Sequence, residues 1–449
     1  MPPAAHAAAA LLATLALGAG CRSPEPEPDS FPGSPPETVA SGTLRDAPGF
    51  LYGRVVTHGG DLYEGRLRWG GDEEAFWDHA FNGRKDQNPW AHHTPLAEQA
   101  EKRRPVLFGI ELPTGEPRVD LGRPFMARFG DLARIESVGD GVRGMIEDRT
   151  DFDPDVRVTM KSGTTFDLAR LEASDFDDGV RVWDRERGVV DLSARDVRAI
   201  DFLPTPALRG VPARLHGTVQ TGTGAFTGSI QWDREEALAT DVLRGDGPDG
   251  AVAYRFGDVQ AIAREPGGGS RVALRDGGSV ALSGHQMVDR GNRGIYVDDP
   301  RYGRVLVSWD AFQRASFEDG GSGPSYDSFA PGRPLAGTVA TRDGRHLAGR
   351  LVFDLDESET TETLDAPADG IDYSIPFALV RAIALPSAPD PATVTLQSGE
   401  TLQLDRSGDL GDDNGGLLVF AENEESPQYV PWPDVERIDF GLDGEVPEE

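Results

Sequence analysis

Cysteine is almost absent from this sequence, which contains a single one, Cys21, in 449 residues. One thiol cannot form a disulfide within the chain, and it cannot supply a zinc site built from several thiolates. The sequence therefore excludes a disulfide-stabilised fold and a cysteine-based metal site. Hydrophobic residues make up 38% of the chain, which is enough for several small cores.

Positive charge is also scarce. The chain carries 44 basic and 76 acidic residues, for a formal net charge of −32, and its lysines are Lys85, Lys102 and Lys161. The negative electrostatic field of such a chain repels phosphodiester backbones, so we expect no nucleic-acid partner. The sequence also has no polybasic patch of the kind that binds anionic lipid.

Motifs for catalysis are missing as well. The sequence contains no G-x-S-x-G nucleophile elbow, no P-loop and no H-E-x-x-H zinc motif. Pairs of carboxylates are numerous because the chain is acidic, so a pair by itself indicates nothing about catalysis. We therefore predict a non-catalytic protein that holds no cofactor and no metal.

Long apolar runs are confined to the N-terminal segment, His6-AAAALLATLALGAG, which Cys21 follows directly. This arrangement resembles a bacterial lipoprotein signal, which implies that Cys21 carries lipid and becomes the mature N-terminus. No later apolar stretch approaches the roughly 20 residues that span a bilayer, so acyl chains would be the only membrane attachment. We expect a cell-envelope protein, anchored to a bacterial membrane and facing away from the cytoplasm. The alternative is an ordinary cleaved signal followed by secretion.

The segment after the cysteine predicts a tether. Residues 22–48 are rich in proline, serine and acidic residues and contain almost nothing to bury. That composition favours a disordered, partly extended chain. With 1–21 as the signal, the rest of the sequence divides into three modules, at 49–204, 213–320 and 333–441.

An internal repeat is the strongest structural signal in the sequence. Each module starts with a type A unit, in which two alternating strands flank a turn and the second strand contains a glycine. These units open at Leu51-YGRVVTHGGDLYEGRLRW, Leu215-HGTVQTGTGAFTGSIQW and Leu335-AGTVATRDGRHLAGRLVF. A type B unit follows each of them, with openings at Val156-RVTMKSGTTFDLA, Arg271-VALRDGGSVALSG and Thr393-VTLQSGETLQLD. The first B unit spans 156–203, and the chain therefore consists of six small units in three A-B modules.

The turn chemistry predicts β-hairpins within these units. A residue with positive φ is needed between two runs of period-2 alternation, and a glycine stands at that place in each hairpin. The turns are Ser162-Gly163, Asp276-Gly277, Asp343-Gly344 and Ser398-Gly399. One helical turn before the last strand completes each unit. We predict an all-β chain, a tandem array of about six small SH3-like or Sm-like barrels.

Type A resembles the first Sm-like motif, most closely at Val339-ATRDGRHLAGRLVFD. There, a DG hairpin, a glycine in the second strand and an aromatic-Asp end follow in the family's order. The resemblance implies a small closed barrel. It does not imply RNA binding, because the loop Leu355-DESETTE lacks the family's asparagine and the closing turns lack its basic Arg-Gly segment.

The first A unit contains an insertion at 70–121 that its two copies lack, and we expect this insertion to be partly helical. It concentrates unusual residues, among them Trp77, Phe81, Trp90 and His92. Two interpretations are open. The four residues form a platform that binds a ligand or partner, or the aromatic side chains pack on the adjacent barrel as a small core.

Acidic loops recur in the type B units, at Asp175-FDDG, Asp289-RGNRG and Asp409-LGDDNGG. None has the D-x-[DN]-x-[DN]-G order of a calcium loop. Residues of this kind at matched positions are more simply turn residues that tolerate positive φ, and weak calcium binding is the alternative.

Taken together, these features predict an envelope-anchored lipoprotein that acts as a non-catalytic binding or scaffold protein. Its expected partner is an envelope protein or a cell-wall component, bound through the first-module insertion. One alternative is a cell-wall or small-ligand binder, or an envelope enzyme, that uses residues 70–121 as its site. Another is an architectural spacer.

Overall fold

The described part of the chain is all-β, with 34 strands and eight 3-10 helices of three residues each. The structure is a computed structural model that describes residues 44–70, 73–78, 81–85, 87–95, 106–107, 110–111, 123–138, 156–168, 179–319, 323–387, 389–422 and 426–441. The expected signal at 1–21 and most of the expected tether lie outside these residues. Within them, no helix is long and apolar enough to cross a membrane.

The strands are short and pair in the antiparallel sense throughout the described residues. Those of the first module are β1 (Leu44–Arg45), β2 (Tyr52–Thr57), β3 (Leu62–Trp69), β4 (Phe81–Lys85), β5 (Val106–Leu107), β6 (Ile110–Glu111), β7 (Arg123–Ala127), β8 (Leu132–Ser137), β9 (Val156–Met160), β10 (Thr165–Leu168), β11 (Val180–Asp184), β12 (Gly188–Leu192) and β13 (Val197–Phe202). Next come β14 (Leu208–Arg209), β15 (His216–Thr221), β16 (Ala225–Gln231), β17 (Val242–Gly247), β18 (Gly250–Arg255), β19 (Val259–Arg264), β20 (Ser270–Leu274), β21 (Ser279–Leu282), β22 (Ile295–Asp299), β23 (Gly303–Val307) and β24 (Phe312–Glu318). The third module contains β25 (Ala336–Thr341), β26 (His346–Val352), β27 (Thr363–Ala368), β28 (Ile371–Pro376), β29 (Val380–Ala384), β30 (Ala392–Leu396), β31 (Thr401–Leu404), β32 (Leu417–Phe420), β33 (Gln428–Val430) and β34 (Val435–Phe440).

The 3-10 helices are single turns, and several stand directly before a closing strand, where the sequence predicts one helical turn. They are Ala91–His93, Phe129–Asp131, Phe256–Asp258, Gln286–Val288, Tyr326–Ser328, Phe377–Leu379, Gly408–Leu410 and Trp432–Asp434. The aromatic residue that begins four of these turns, such as Phe256 or Phe377, is buried. Each of the four turns thus anchors the strand that follows it to the core.

One eight-strand order recurs in all three modules. It reads β12-β11-β3-β2-β13-β8-β9-β10 in the first, β23-β22-β16-β15-β24-β19-β20-β21 in the second and β33-β32-β26-β25-β34-β29-β30-β31 in the third. The alternation in the sequence explains why these segments form strands: Val156, Val158 and Met160 of β9 are buried, and the residues between them are partly exposed. The sequence repeat is therefore also a repeat of topology.

The A and B units of a module are interleaved in this sheet. In the third module, β34, which closes unit B, lies between the first and last strands of unit A, with Ile438 opposite both Val339 of β25 and Ile383 of β29. The strands β13 and β24 have the same position in the other two modules. The two units of a module therefore share one sheet.

A glycine in the second strand of each A unit permits a close approach between strands. A Cβ atom added at Gly65, Gly228 or Gly349 would lie 2.0, 1.9 or 2.2 Å from a carbonyl oxygen of the neighbouring strand. Contacts this short are forbidden for a side chain, so only glycine fits. The glycine that defines the repeat in the sequence is thus required by the packing of A against B.

The second and third modules are continuous with each other. The hairpin β27–β28 of the third module pairs with β23 of the second, with Val305 opposite Tyr373, and extends the same sheet to ten strands. One hydrophobic core runs through both modules and includes Trp232, Phe312 and Phe377. Strand pairing and a shared core together join these modules.

The first module has its own hydrophobic core, which includes Phe76, Phe129 and Ile200. Tyr326 and Phe329, from the segment between the second and third modules, complete this core. The last residues of the expected tether also join the fold, since β1 pairs with β14 and Ala47 is buried beside Phe50. Residues 44–47 are therefore part of the fold, although the sequence analysis assigns them to the tether.

The structure places the extra residues of the first module within a hairpin. Strands β4 and β7 pair like β27 and β28 in the third module, but 37 residues, 86–122, separate them. The β17–β18 and β27–β28 turns contain two residues each. Residues 70–85 of the expected insertion have counterparts in the other modules, so they belong to the repeat and not to the insertion. The described residues of 70–121 form strands and the 3-10 turn Ala91–His93.

Candidate functional site

The three modules repeat a tight turn after the second strand of unit A. An aromatic residue, Trp232 in the second module, precedes two residues with positive φ, Asp233 at 53° and Arg234 at 62°. The third module repeats this at Asp354 and Leu355, with φ of 49° and 54°. Two consecutive left-handed residues define a type I′ turn, which matches the twist of flanking strands.

A carboxylate nine residues after the aromatic residue binds the backbone that follows each of these turns. Asp78 Oδ2 accepts hydrogen bonds from the backbone N–H groups of Glu74 and Ala75, at 2.9 and 2.7 Å. Asp241 and Glu362 accept the matching pairs of bonds in the other modules. We call Asp78, Asp241 and Glu362 the clasp carboxylates. The pattern aromatic-x3-Glu-x4-Asp/Glu is visible in all three copies, but a comparison limited to the hairpins misses it.

The clasp carboxylate of the third module also binds the first module. Lys85 Nζ, on β4, donates to Glu362 at 2.8 Å and to Asp356 at 2.5 Å, and Arg123 Nε donates to Asp356 at 2.8 Å. All four side chains are at least nine-tenths buried. Burial alone would lower the pKa of Lys85, but Glu362 and Asp356 raise it above its ordinary value. Lys85 is therefore a buried cation that joins two modules.

The clasp carboxylate of the first module contacts the second module in the same way. Arg214 donates to Asp78, and Arg304 Nη2 lies 4.0 Å from Asp78 while its Nε donates to Asp298 at 2.7 Å. These side chains are also more than nine-tenths buried. Asp78 thus orders a turn of the first module and also supplies the negative charge that binds arginines of the second module.

The segment between the second and third modules packs on the first. The ring centroids of Tyr326 and Phe76 lie 5.0 Å apart, and those of Phe329 and Trp77 lie 5.7 Å apart. Lys161 Nζ donates to the carbonyl oxygen of Phe329 at 3.1 Å and lies 3.4 Å from the Tyr326 ring centroid. Burial raises the pKa of Tyr326 to about 12. This segment is therefore fixed against the first module.

A cleft of about 170 Å³ lies where the first module, this connecting segment and the third module meet. We call it the junction cleft. Its lining includes Trp77 and Arg128 from the first module, residues of the segment 324–331, and Arg333 and Thr361 from the third. No aspartate or glutamate is among its lining residues.

The arginine that the first module contributes to the junction cleft is held in place by its neighbours. Arg128 Nε donates to the buried Asp131 at 2.7 Å, and its guanidinium carbon lies 5.2 Å from the centroid of the Trp77 ring. Trp77 Nε1 and Thr361 Oγ1 are buried, and neither has a hydrogen-bond partner among the described residues. The cleft brings an aromatic pair and two arginines together from separate parts of the chain, which makes it the candidate functional site.

The structure distributes the four residues that the sequence singles out. Trp77 lines the junction cleft, whereas the Trp90 ring lies 5.9 Å from that of Phe420 in the third module. His92 is exposed beside His93, with 3.8 Å between ring centroids. Phe81 lies on β4, and its side chain is outside the described residues. Trp77 and Trp90 therefore both pack against other parts of the chain, at two different places.

The acidic loops of the B units are organised as turns where they are described. Asn292 and Asn414 stand at matched positions, and each accepts a hydrogen bond from the backbone N–H two residues later while its amide nitrogen donates to a carbonyl oxygen. Nearby, burial raises the pKa of Asp354 to about 7. Among the described residues, no three histidine, aspartate or glutamate side chains converge as metal ligands. Residues 175–178 of the loop Asp175-FDDG lie outside the described residues.

Comparisons with known proteins add no functional assignment. No protein-family model matches the chain, and no curated protein matches it at a significant level. The function is therefore inferred from the geometry of the chain itself.

Proposed function

We propose that the protein is a non-catalytic binding protein of a bacterial cell envelope, anchored by lipid on Cys21. The observation that supports binding is the junction cleft, an opening of about 170 Å³ whose lining includes Trp77, Phe329 and two arginines. The first module, the third module and a connecting segment meet around that cleft, and buried ion pairs join the two modules. A site assembled from distant parts of a chain suits recognition because its geometry depends on the whole fold.

The architecture supports the same proposal. We propose that the six units are variants of the SH3-like or Sm-like barrel plan, in which the two units of a module exchange their closing strands. The support is that one order of strands recurs three times. Barrels of this kind serve many functions, so the fold by itself names none of them.

Localisation is a separate part of the proposal. Its support is the apolar segment before Cys21 and the polar segment that follows. A Cys21→Ser variant should leave the membrane fraction of expressing bacteria, while the wild-type protein stays there until detergent is added. Mass spectrometry of the wild-type N-terminal peptide should find acyl chains on Cys21. An unmodified Cys21 inside a longer N-terminal peptide would refute the anchor.

Two kinds of partner remain for the binding function, an envelope protein or a cell-wall component. The cleft favours the second because its size suits a small ligand. Pelleting of the purified protein with isolated cell wall tests this directly. Co-sedimentation that Trp77→Ala reduces would support a wall ligand in the cleft. If the protein stays in the supernatant, the envelope-protein alternative is favoured.

A further inference from the structure

One strand contact between the second and third modules has no counterpart between the first and second. Strand β23, which ends the recurrent order in the second module, pairs with β28 of the third module. The strand that matches β23 in the first module is β12, and β18 matches β28, since each precedes a 3-10 turn that starts with phenylalanine. Among the described residues, β12 pairs with β11 alone and β18 with β17 alone. The chain therefore leaves open two sheet edges of a kind that it joins elsewhere.

The two open edges expose apolar side chains that the paired edges bury. All five residues of β23 are buried, whereas Val189 of β12 is 41% exposed. In β28, Tyr373 and Ile375 are buried. Their counterparts in β18, Val252 and Tyr254, are only partly buried. A strand placed beside β12 or β18 would therefore cover apolar surface.

Space for a neighbouring strand is present beside β12. A Cβ atom added at Gly303 of β23 would lie 2.5 Å from the carbonyl oxygen of Ser374 on β28. Gly188 begins β12 at the matching position, and its φ of 79° is close to the 83° of Gly303. A Cβ atom added at Gly188 would have nothing within 4 Å. A strand can therefore approach the start of β12 as closely as β28 approaches β23.

The composition of β12 and β18 also favours a strand as their neighbour. Natural proteins protect open edges with short strands, charge or proline. Residues 250–254 of β18 include no charged residue and no proline, and β12 includes one charge, Asp191. The matching strands are different: β33 has three residues and comes shortly after the acidic sequence Glu422-NEE, and β7 contains Pro124. β12 and β18 thus have little of the protection that their counterparts have.

We propose that β12 of one copy of this chain pairs with β18 of a second copy, in the antiparallel register of β23 and β28. The chain itself contains both halves of this contact, and it joins the matching halves between its second and third modules. Within one chain β12 and β18 do not pair, so the neighbour of each comes from another molecule. Main-chain hydrogen bonds between added strands supply the affinity.

The register of β23 and β28 defines the contact between copies. It places Arg304 opposite Ser374, and the residues at the matching positions are Val189 of β12 and Ala253 of β18. Each copy has one strand of each kind, so two copies close as a dimer through two such pairs, or more copies continue as a chain. This pairing is independent of the junction cleft and of the ligand that the cleft binds.

Disulfide cross-linking between two single-cysteine proteins tests the register. Cys21 is the only cysteine in the chain, so full-length Cys21→Ser is a thiol-free background for Val189→Cys and Ala253→Cys. Both positions are exposed, and opposite Cβ atoms in an antiparallel pair lie about 4.5–5.5 Å apart, close to the span of a disulfide. An ionic strength of about 0.15 M screens the repulsion between acidic copies beyond about 8 Å. Under mild oxidation, a mixture of the two proteins should form a disulfide-linked pair.

A matched control is available at Val138, which is 42% exposed and lies outside both strands. Val138→Cys mixed with Ala253→Cys should give little of the linked product. Each single-cysteine protein alone should also give little of it, because Val189 meets Ala253 and not a second Val189.

Sedimentation gives a second measurement that needs no thiol. Full-length Cys21→Ser should form a dimer or a larger assembly as its concentration rises. Val189→Lys together with Ala253→Lys places two like charges opposite each other, which should raise the dissociation constant at least about tenfold while the unfolding midpoint changes little. Val138→Lys should associate like the background protein.

Two results would overturn the inference. One is that Val189→Cys cross-links with Ala253→Cys no better than Val138→Cys does. The other is a protein that stays monomeric at every concentration, or that associates equally well with the two lysines in place. In either case β12 and β18 do not meet between copies.

Discussion

At the scale of single residues, the chain places several carboxyl groups where water is scarce. Glu236 is half-buried, and burial raises its pKa from 4.5 to about 8, with Glu235 and Asp233 adding to the effect. One of its oxygens has no hydrogen-bond partner among the described residues. The folded protein therefore keeps a proton on Glu236 at a pH where the unfolded chain has released it.

This proton makes stability depend on pH. Below pH 4.5 both states are protonated, and between pH 4.5 and about 8 only the folded state is. The contribution of Glu236 to stability is thus fully present at acidic pH and is lost as pH rises towards 8. Glu236→Gln should raise the melting temperature at pH 8 by a few degrees and leave it nearly unchanged at pH 4.5, as measured by calorimetry.

A matched control is available in the third module. Glu436 is exposed and is not among the charges that raise the pKa of Glu236, so Glu436→Gln makes the same change of charge without the burial. Its melting temperature should follow that of the wild type at both pH values. If the melting temperatures of Glu236→Gln and the wild type change with pH in the same way between pH 4.5 and pH 8, then Glu236 does not hold its proton in the folded state.

Sequence alone identified some of the residues of the site and not others. Trp77 stands out in sequence as an aromatic residue in a polar segment, and it lines the cleft. Arg128 and Thr361 carry no such signal, because one is an arginine among many and the other a threonine in an acidic loop. Their role depends on contacts between modules, and local pattern does not encode which modules meet.

At the scale of strands, the recurrent glycine decides how the two units of a module fit together. Gly228 lies on β16, and a Cβ atom there would lie 1.9 Å from the carbonyl oxygen of Asp298 on β22. A clash with backbone cannot be relieved by a change of rotamer, so the strands must separate. The glycine is therefore a requirement of the interleaved sheet.

Gly228→Ala should destabilise the protein by roughly 1–3 kcal/mol or more, as overpacking does in other cores. Gly224→Ala, in the turn of the same hairpin, is the control, because nothing lies within 4 Å of its added Cβ. That variant should change stability by less than about 1 kcal/mol. Urea unfolding measures the stability of both variants. Equal unfolding midpoints would show that the strands around Gly228 have room for a Cβ atom.

The sequence predicted the hairpins well, because period-2 alternation and glycine turns are local signals. It did not predict that β34 lies between β25 and β29. Alternation shows which face of a strand is buried, and it does not show which strands are neighbours. The start of the insertion was misplaced for a related reason: the turn that ends in Asp78 belongs to the repeat, but its copies share only the aromatic and acidic positions.

At the scale of the whole molecule, buried charge joins the modules. Lys85 reaches from the first module to Glu362 and Asp356 of the third. Removing one partner of a buried ion pair typically costs about 3–5 kcal/mol, because the remaining charge stays buried without compensation. The junction cleft lies at the same interface of modules, so its geometry depends on these contacts.

Lys85→Met, which keeps the length of the side chain, should therefore lower the free energy of unfolding by about 3–5 kcal/mol. Arg187→Met removes an exposed pair with Asp61, at 3.3 Å, and should cost less than about 1 kcal/mol. Urea unfolding followed by tryptophan fluorescence distinguishes them. A similar small loss in both variants would show that Lys85 does not hold the modules together.

We propose above that this chain is an envelope-anchored binding protein, and cross-linking in intact cells is the sharpest test of that function. Cells that express the wild-type protein or Cys21→Ser at native level would be cross-linked, and the captured material identified by mass spectrometry. We expect one reproducible envelope component to be captured with the wild type and much less of it with Cys21→Ser. Equal capture of cytoplasmic proteins by both forms, with no envelope component, would contradict it.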